Sequence, residues 1–302
     1  MSWFVRVCNR DIKVEGRLIR IARIDGEKYC FLDDPEPVVK ALRNCGTRID
    51  IFTFLQRLPE TEPRYKYPFE WDNFAALPVS TFDHWWNSQI RSYARNRARQ
   101  GEKKGVTVRE APFDDALVEG ICEVFNETKV RQGRPNLHYG LDLEATRRWA
   151  GSFLERSVFV GAYFEDRLIG FAKLVVDLSG TQANLMNIEA MMRHREKAPT
   201  NALIAGSVRA CADRGIAYLV YQRMVYGNKE DDGLVRFKKD NGFQQVNLPR
   251  YYVPHTPLGG LALRCGLHHP LKERLPESVA AKLRELRNAW YNRKLHSEGG
   301  GL

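Results

Sequence analysis

Between residues 105 and 254 the spacing of apolar positions switches period in a regular order. Residues 113–130 and 141–156 place apolar side chains three and four apart, as amphipathic helices do, and Asp142 opens the second. "SVFVGAYF" and "LIGFAKLVVDL" are instead rich in β-branched and aromatic residues, and the polar turn "EDR" joins them as a hairpin. A third strand is expected over 182–192, a helix over 200–215 stopped by Gly215, and a strand over 216–223. A helix over 231–242 and a final strand or strand pair from Phe243 complete the series. With "VTVRE" as the opening strand, the order is β-α-α-β-β-β-α-β-α-β. One hairpin among crossovers predicts an α+β fold, an α/β sandwich whose mixed, twisted sheet is flanked by helices.

Residues 82–104 read as one helix, with Trp86, Ile90, Tyr93 and Arg97 on one face and Arg91, Arg95, Arg99 and Lys103 in an i+4 stripe on another. Such a stripe faces either an anion or plain solvent. Upstream, residues 17–24 and 28–32 read as two strands joined by "DGE". A short helix begins at Asp34 and Pro35, then comes the strand-like "IDIFTFL" and a proline-rich link, "RLPETEPRYKYPFEWDN". That link divides a small N-terminal α/β part, 1–80, from a main domain, 81–255. Residues 256–302 carry a basic amphipathic helix and a glycine-rich tail expected to be disordered.

Composition narrows the partners. The chain has 302 residues, a formal charge of +10 and a pI near 9.3, which favours anionic partners: nucleic acid, a phosphorylated cofactor, an acidic lipid surface or an anionic glycan. The six cysteines are scattered singly, and no His or Cys stands at metal-ligand spacing, so free thiols and no metal are expected. No apolar run reaches signal-peptide or membrane-span length, and a cytoplasmic location is expected.

One carboxylate stands out. Strict alternation along "LMNIEAMM" puts Leu185, Asn187, Glu189 and Met191 on one face, leaving Glu189 alone in an apolar strand. It is either a buried general base or the partner of an arginine at the sheet surface. Tyr221 and Tyr226, near the end of the next strand, are either proton donors or core and rim residues. The tryptophans Trp85, Trp86 and Trp149 read as packing residues.

The hairpin "FVGAYFEDRLIGFAKLVV", the strand-loop-helix "NLMNIEAMMRHREKAPTNA" and the late stretch "NKEDDGLVRFKKDNGF" together resemble the GNAT fold of CoA-dependent N-acyltransferases. Further features are similar to the Fem branch, which has GNAT-like folds and uses aminoacyl-tRNA: "RFKKDNGF", "RNRARQGEKKGVTVRE" and the loop "TKVRQGRPNLHYG". The resemblance implies an N-acyltransferase in which an amine attacks acyl-CoA directly, Glu189 serves as base, Lys238 as oxyanion donor and Tyr226 as acid. It implies cofactor contacts at Met191, Met192, Arg193, Arg195, Thr200, Asn201 and Asn228. Arg131, Arg134, His138 and Tyr139 would then line the side of a small-molecule or peptide amine acceptor.

Two departures bear on the donor. "RHREKAPTN" lacks the glycines of the usual pyrophosphate loop, and Lys238 stands where acetyltransferases commonly carry a tyrosine. Aminoacyl-tRNA is therefore an alternative donor. A non-catalytic GNAT-like module that binds an anionic glycan or nucleic acid is the reading from another class.

Overall fold

The computed structural model describes residues 2–131, 134–226 and 233–269. The N-terminal part contains strands β1 (Ser2–Val7), β2 (Arg10–Glu15) and β3 (Ile21–Ile24), helix α1 (Glu36–Arg43), and strands β4 (Ile51–Leu55) and β5 (Phe69–Pro78). Helices α2 (Phe82–His84) and α3 (Ser92–Lys103) lead to β6 (Thr107–Ala111), α4 (Asp115–Asn126), the small β7 (Val130–Arg131) and β8 (Arg134–Pro135), and α5 (Leu143–Ala150). Then come β9 (Ser157–Phe164), β10 (Arg167–Val176), β11 (Gln182–Ala190), α6 (Pro199–Asp213), β12 (Tyr218–Val220), α7 (Gly233–Asp240), β13 (Gln244–Pro254) and α8 (Pro257–Arg264). From β6 to β13 the succession is the expected one, apart from the small β7–β8 pair between α4 and α5. The predicted C-terminal helix lies outside the described residues.

The main sheet has 11 strands in the order β1-β2-β3-β4-β13-β5-β12-β11-β10-β9-β6. Among the described residues only β3–β4 and β11–β12 pair in parallel. Helices α3 and α6 cover one face, burying Ile90, Ala94, Leu203, Ile204 and Val208 with Trp85. Helices α4 and α5 cover part of the other, around Phe125, Phe159 and Phe171. The N-terminal strands, from Ser2 to Pro78, join the same sheet, since β4 pairs with β13 and β5 lies between β13 and β12.

Three expectations change. Residues 28–32 do not form a hairpin strand, because β3 already has β2 on one edge and β4 on the other. Tyr29 instead turns back, its N–H donating to Gly26 O at 2.7 Å. The helix expected over 82–104 is broken: a π-helical turn spans Trp85–Gln89, and Ile90 is extended with ψ 134°. Its neighbour Arg91 donates its N–H to Asp240 O, and the Trp85 indole donates to Asn241 O at 2.9 Å. This link is thereby fixed to the end of α7. The buried face of α3 is Ala94, Ala98 and Gly101, while Tyr93 is 64% exposed.

The basic stripe is largely engaged within the chain. Arg91 pairs with Asp240 at 3.2 Å, Arg99 lies over Trp86, and Arg95 donates to Ile90 O. From the same helix, Arg97 and Lys104 donate to Arg195 O and Glu196 O. No helix among the described residues is long and apolar enough to cross a membrane.

Gly101 lets α3 approach the turn before α6, because a Cβ there would stand 2.9 Å from Lys197 O. Replacing a helical glycine with alanine normally gains about 0.5–1 kcal/mol. Overlap with a backbone oxygen costs more, about 1–3 kcal/mol. Gly101→Ala should therefore lower the urea midpoint, and a rise would sink this packing account.

Lys173 on β10 is fully buried between the Trp149 and Phe159 rings. Its ammonium donates to Ala150 O at 2.7 Å and to Ser152 O and Oγ, holding the end of α5. Burial pulls its pKa down to about 8. The unfolded chain then carries the extra proton between that value and the ordinary lysine pKa, so this group makes stability rise with pH across the window. Lys173→Met should remove up to roughly 3 kcal/mol of that rise. Urea melts from pH 7 to 10.5 test it, and parallel curves for the two proteins would contradict it.

Candidate active site

Strand β11 runs beside β12 only through Gln182–Asn184, opposite Tyr218–Val220. There β12 ends, while the chain keeps its pairing with β5: Tyr221 N–H donates to Ala75 O and Ala75 N–H to Gln222 O, each at 2.8 Å. Among the described residues no strand continues alongside 186–190 on that edge, and a cleft opens. The pairing of β10 with β11 also slips by one residue: Lys173 faces Asn187 while Leu174 faces Leu185. Met186 is the extra residue, a bulge that re-aims the side chains after it. Leu185 consequently packs with the α3–α6 core, and Asn187 shares a face with Glu189. The strict alternation expected from sequence fails at this residue.

One wall of the cleft is built around Glu189, which is paired. His138 Nδ1 lies 3.1 Å from Oε1, and Asn187 Nδ2 donates to the same oxygen at 3.1 Å. Arg131 Nε stands 3.6 Å from Oε2, an ion pair too long for a hydrogen bond. Arg131 is held in turn by Ala190 O and Val124 O, at 3.0 and 3.1 Å. The His138 ring stacks on Phe125 at 4.2 Å and meets Trp149 edge-on at 4.9 Å. Carboxylate and imidazole thus have fixed orientations, and the buried Oε2 keeps unused accepting capacity.

The opposite wall comes from the end of β12 and from α7. Lys238 is fully buried; its ammonium donates to Arg223 O and lies over the rings of Tyr221 at 4.6 Å and Tyr226 at 5.1 Å. Burial raises the Tyr221 phenol well above its usual pKa, and Tyr226 and then Glu189 add to the rise. Burial also raises the Tyr226 pKa. Both phenols keep their protons at neutral pH. Asp72 pairs with the Arg223 side chain at 3.1 Å and with Arg250 at 2.6 Å, which anchors the Lys238 acceptor to β5 and β13.

The turn after β11 is where the resemblance puts a pyrophosphate. Its N–H groups already have an anion: Glu127 accepts from Met192 N–H at 2.7 Å and from Arg193 N–H at 2.8 Å. Pro199, first in α6, has no N–H, while Asn201 and Ala202 donate theirs to Ala198 O. Nothing in the sequence pattern singles out Glu127 beyond its i,i+4 relation to Arg131.

Of the residues singled out from sequence, Arg131, His138 and Glu189 come together, and Tyr226 and Lys238 meet across the cleft from them. Met191 instead packs in the core against α4, its N–H bonded to Ile169 O, and the Arg193 side chain folds onto its Sδ. Met192 is exposed, Asn201 is buried, and Arg195 O is taken by Arg97. Thr200 stands in the first turn of α6, and Tyr139 lies exposed under the Lys129 ammonium. Asn228 and the side chain of Arg134 lie outside the described residues.

No protein-family model and no curated protein matches the chain. Solved structures do. The crystal structure called FemX superposes with a TM-score of 0.58 at 11% identity, covering 86% of this chain and 90% of that one. L-PGS from Bacillus licheniformis gives 0.57 at 14% identity, with 87% of each chain covered. The C-terminal domain of a putative lysylphosphatidylglycerol synthetase from Agrobacterium fabrum gives 0.56 at 14% identity, again over 87% of each. This chain therefore has a GNAT-like α+β fold, similar to the folds of FemX and L-PGS.

Proposed function

We propose that the chain is an N-acyltransferase in which an amine held beside Glu189 and His138 attacks an activated acyl carbon lodged near Lys238. The observation that carries this reading is the placement of an oriented carboxylate–imidazole pair on one wall and a buried ammonium on the other. Acyl transfer to an amine needs these complementary groups, because a proton must leave the nucleophile while negative charge grows on the carbonyl oxygen. As the C–N bond forms, the amine proton passes to the Glu189–His138 pair. The buried Lys238 ammonium, behind the Tyr221 and Tyr226 rings, offsets the charge of the tetrahedral oxyanion, and collapse breaks the bond to the leaving group. That group takes a proton from Tyr226, which solvent then restores. The acceptor is a small-molecule or peptide amine.

Glu127 favours an aminoacyl ester of tRNA over acyl-CoA as donor. A carboxylate seated on the N–H groups of Met192 and Arg193 repels a pyrophosphate and occupies its donors. FemX and the lysylphosphatidylglycerol synthetases share the fold, and Lys238 fits the Fem-like side of the resemblance. Acyl-CoA stays as the second reading, supported by the cations of Arg193 and Arg195 beside this turn.

Calorimetric titration with acetyl-CoA and with charged tRNA at two salt concentrations separates the donors. Charged tRNA should bind with steep salt dependence and acetyl-CoA should give no saturable heat. Saturable acetyl-CoA binding that weakens in Arg193→Ala would reverse the choice. In transfer assays with the donor that binds, Glu189→Gln and Lys238→Met should bind it normally and lose about 10²–10³ in turnover. Binding without any transfer by the unaltered chain, or full transfer by both variants, would refute the catalytic assignment.

A further inference from the structure

At β5, separated from β11 by β12 alone, two consecutive histidines meet a carboxylate. Glu70 in β5 stands opposite Arg250 in β13, yet the Arg250 guanidinium turns to Glu27 at 2.8 Å and Asp72 at 2.6 Å and leaves Glu70 alone. Just past α8, His268 Nε2 and His269 Nε2 approach Glu70 Oε1 at 2.9 and 3.1 Å. The three ligand atoms all lie within 4.8 Å of one another.

Packing fixes this convergence. The His268 side chain is 3% exposed and sits edge-on to the Tyr252 ring at 4.6 Å. Its Nδ1 is buried with no hydrogen-bond partner, so Nε2 is the polar outlet of the ring, and it points at Glu70. His269 and Glu70 remain 35% and 42% exposed, which leaves one side of the cluster open to solvent.

We propose that Glu70, His268 and His269 form a binding site for a divalent transition-metal cation, with Zn²⁺ the best match. Two imidazole nitrogens and one carboxylate oxygen are a donor set zinc takes readily, with bonds of about 2.0–2.2 Å and water in a fourth position. A tetrahedron with such bonds has edges of about 3.3 Å, so the two separations from Glu70, 2.9 and 3.1 Å, need only a small expansion to admit the ion. Bound there, the cation fastens the chain after α8 to the middle of the sheet. The transfer chemistry of the cleft does not use it.

The test uses the full chain without an affinity tag, dialysed against chelator and titrated with zinc chloride by calorimetry. Cobalt(II) absorption provides a second readout. One equivalent of zinc should bind, cobalt should show the intense visible bands of tetrahedral coordination, and zinc should raise the melting temperature. Glu70→Gln and His269→Ala should each weaken binding by at least about tenfold, since even outer contacts to a metal site cost that much. The His269 side chain is 35% exposed, so near-ultraviolet circular dichroism of His269→Ala should match the parent. No saturable zinc binding, or binding unchanged in both variants, would overturn the proposal.

Discussion

The site depends on the early parting of β11 from β12. Three paired residues hold the strands together at one end; beyond them the chain after β12 stays with β5, and β11 continues paired only with β10 among the described residues. Without that divergence Glu189 would sit in a closed sheet with no approach for substrate. The bulge at Met186 sets which groups look into the opening, because one extra residue moves Asn187 and Glu189 onto the face of His138.

Around the cleft, positive charge serves as internal connection. Arg131, Arg97 and Lys104 donate to backbone carbonyls that would otherwise face outward from turns and strand ends. Arg250 is buried and satisfied by two carboxylates at once. Buried ions are costly unless paired, and loss of one partner exposes the full cost. Much of the net charge that reads from sequence as an invitation to anions is thus committed within the fold. The same holds in reverse for Glu127, an anion engaged by backbone N–H groups.

The regular half of the molecule was legible because its helices and strands follow local periods, and their caps, such as Asp114 and Asp142, are sequence neighbours of the helices they cap. The misread elements have causes remote in sequence. The break at Ile90 is set by Asp240 and Asn241, and 28–32 lost strand status because β4 had already taken the edge it needed. At the site, residue types were readable while their partners were not: Glu189 was visible, but its pairing with His138 crosses 51 positions. The lysine pairing behind Arg223 rests on Asp72, in a segment that looked like a linker. Histidines 268 and 269 carried no spacing signal, since their third partner is in β5.

The central place of β5 also bears on how the chain comes to be folded. It is made early, yet both of its hydrogen-bonding neighbours, β12 and β13, belong to residues 218–254. During synthesis this strand, with Phe74, Ala75, Ala76 and Leu77 destined for burial, waits for most of the chain before it can be enclosed. Long-range closure of this kind slows folding and leaves apolar edges open to wrong partners meanwhile. The prolines and charges flanking it, from Arg57 to Glu70, keep the unpaired segment in water until the rest arrives.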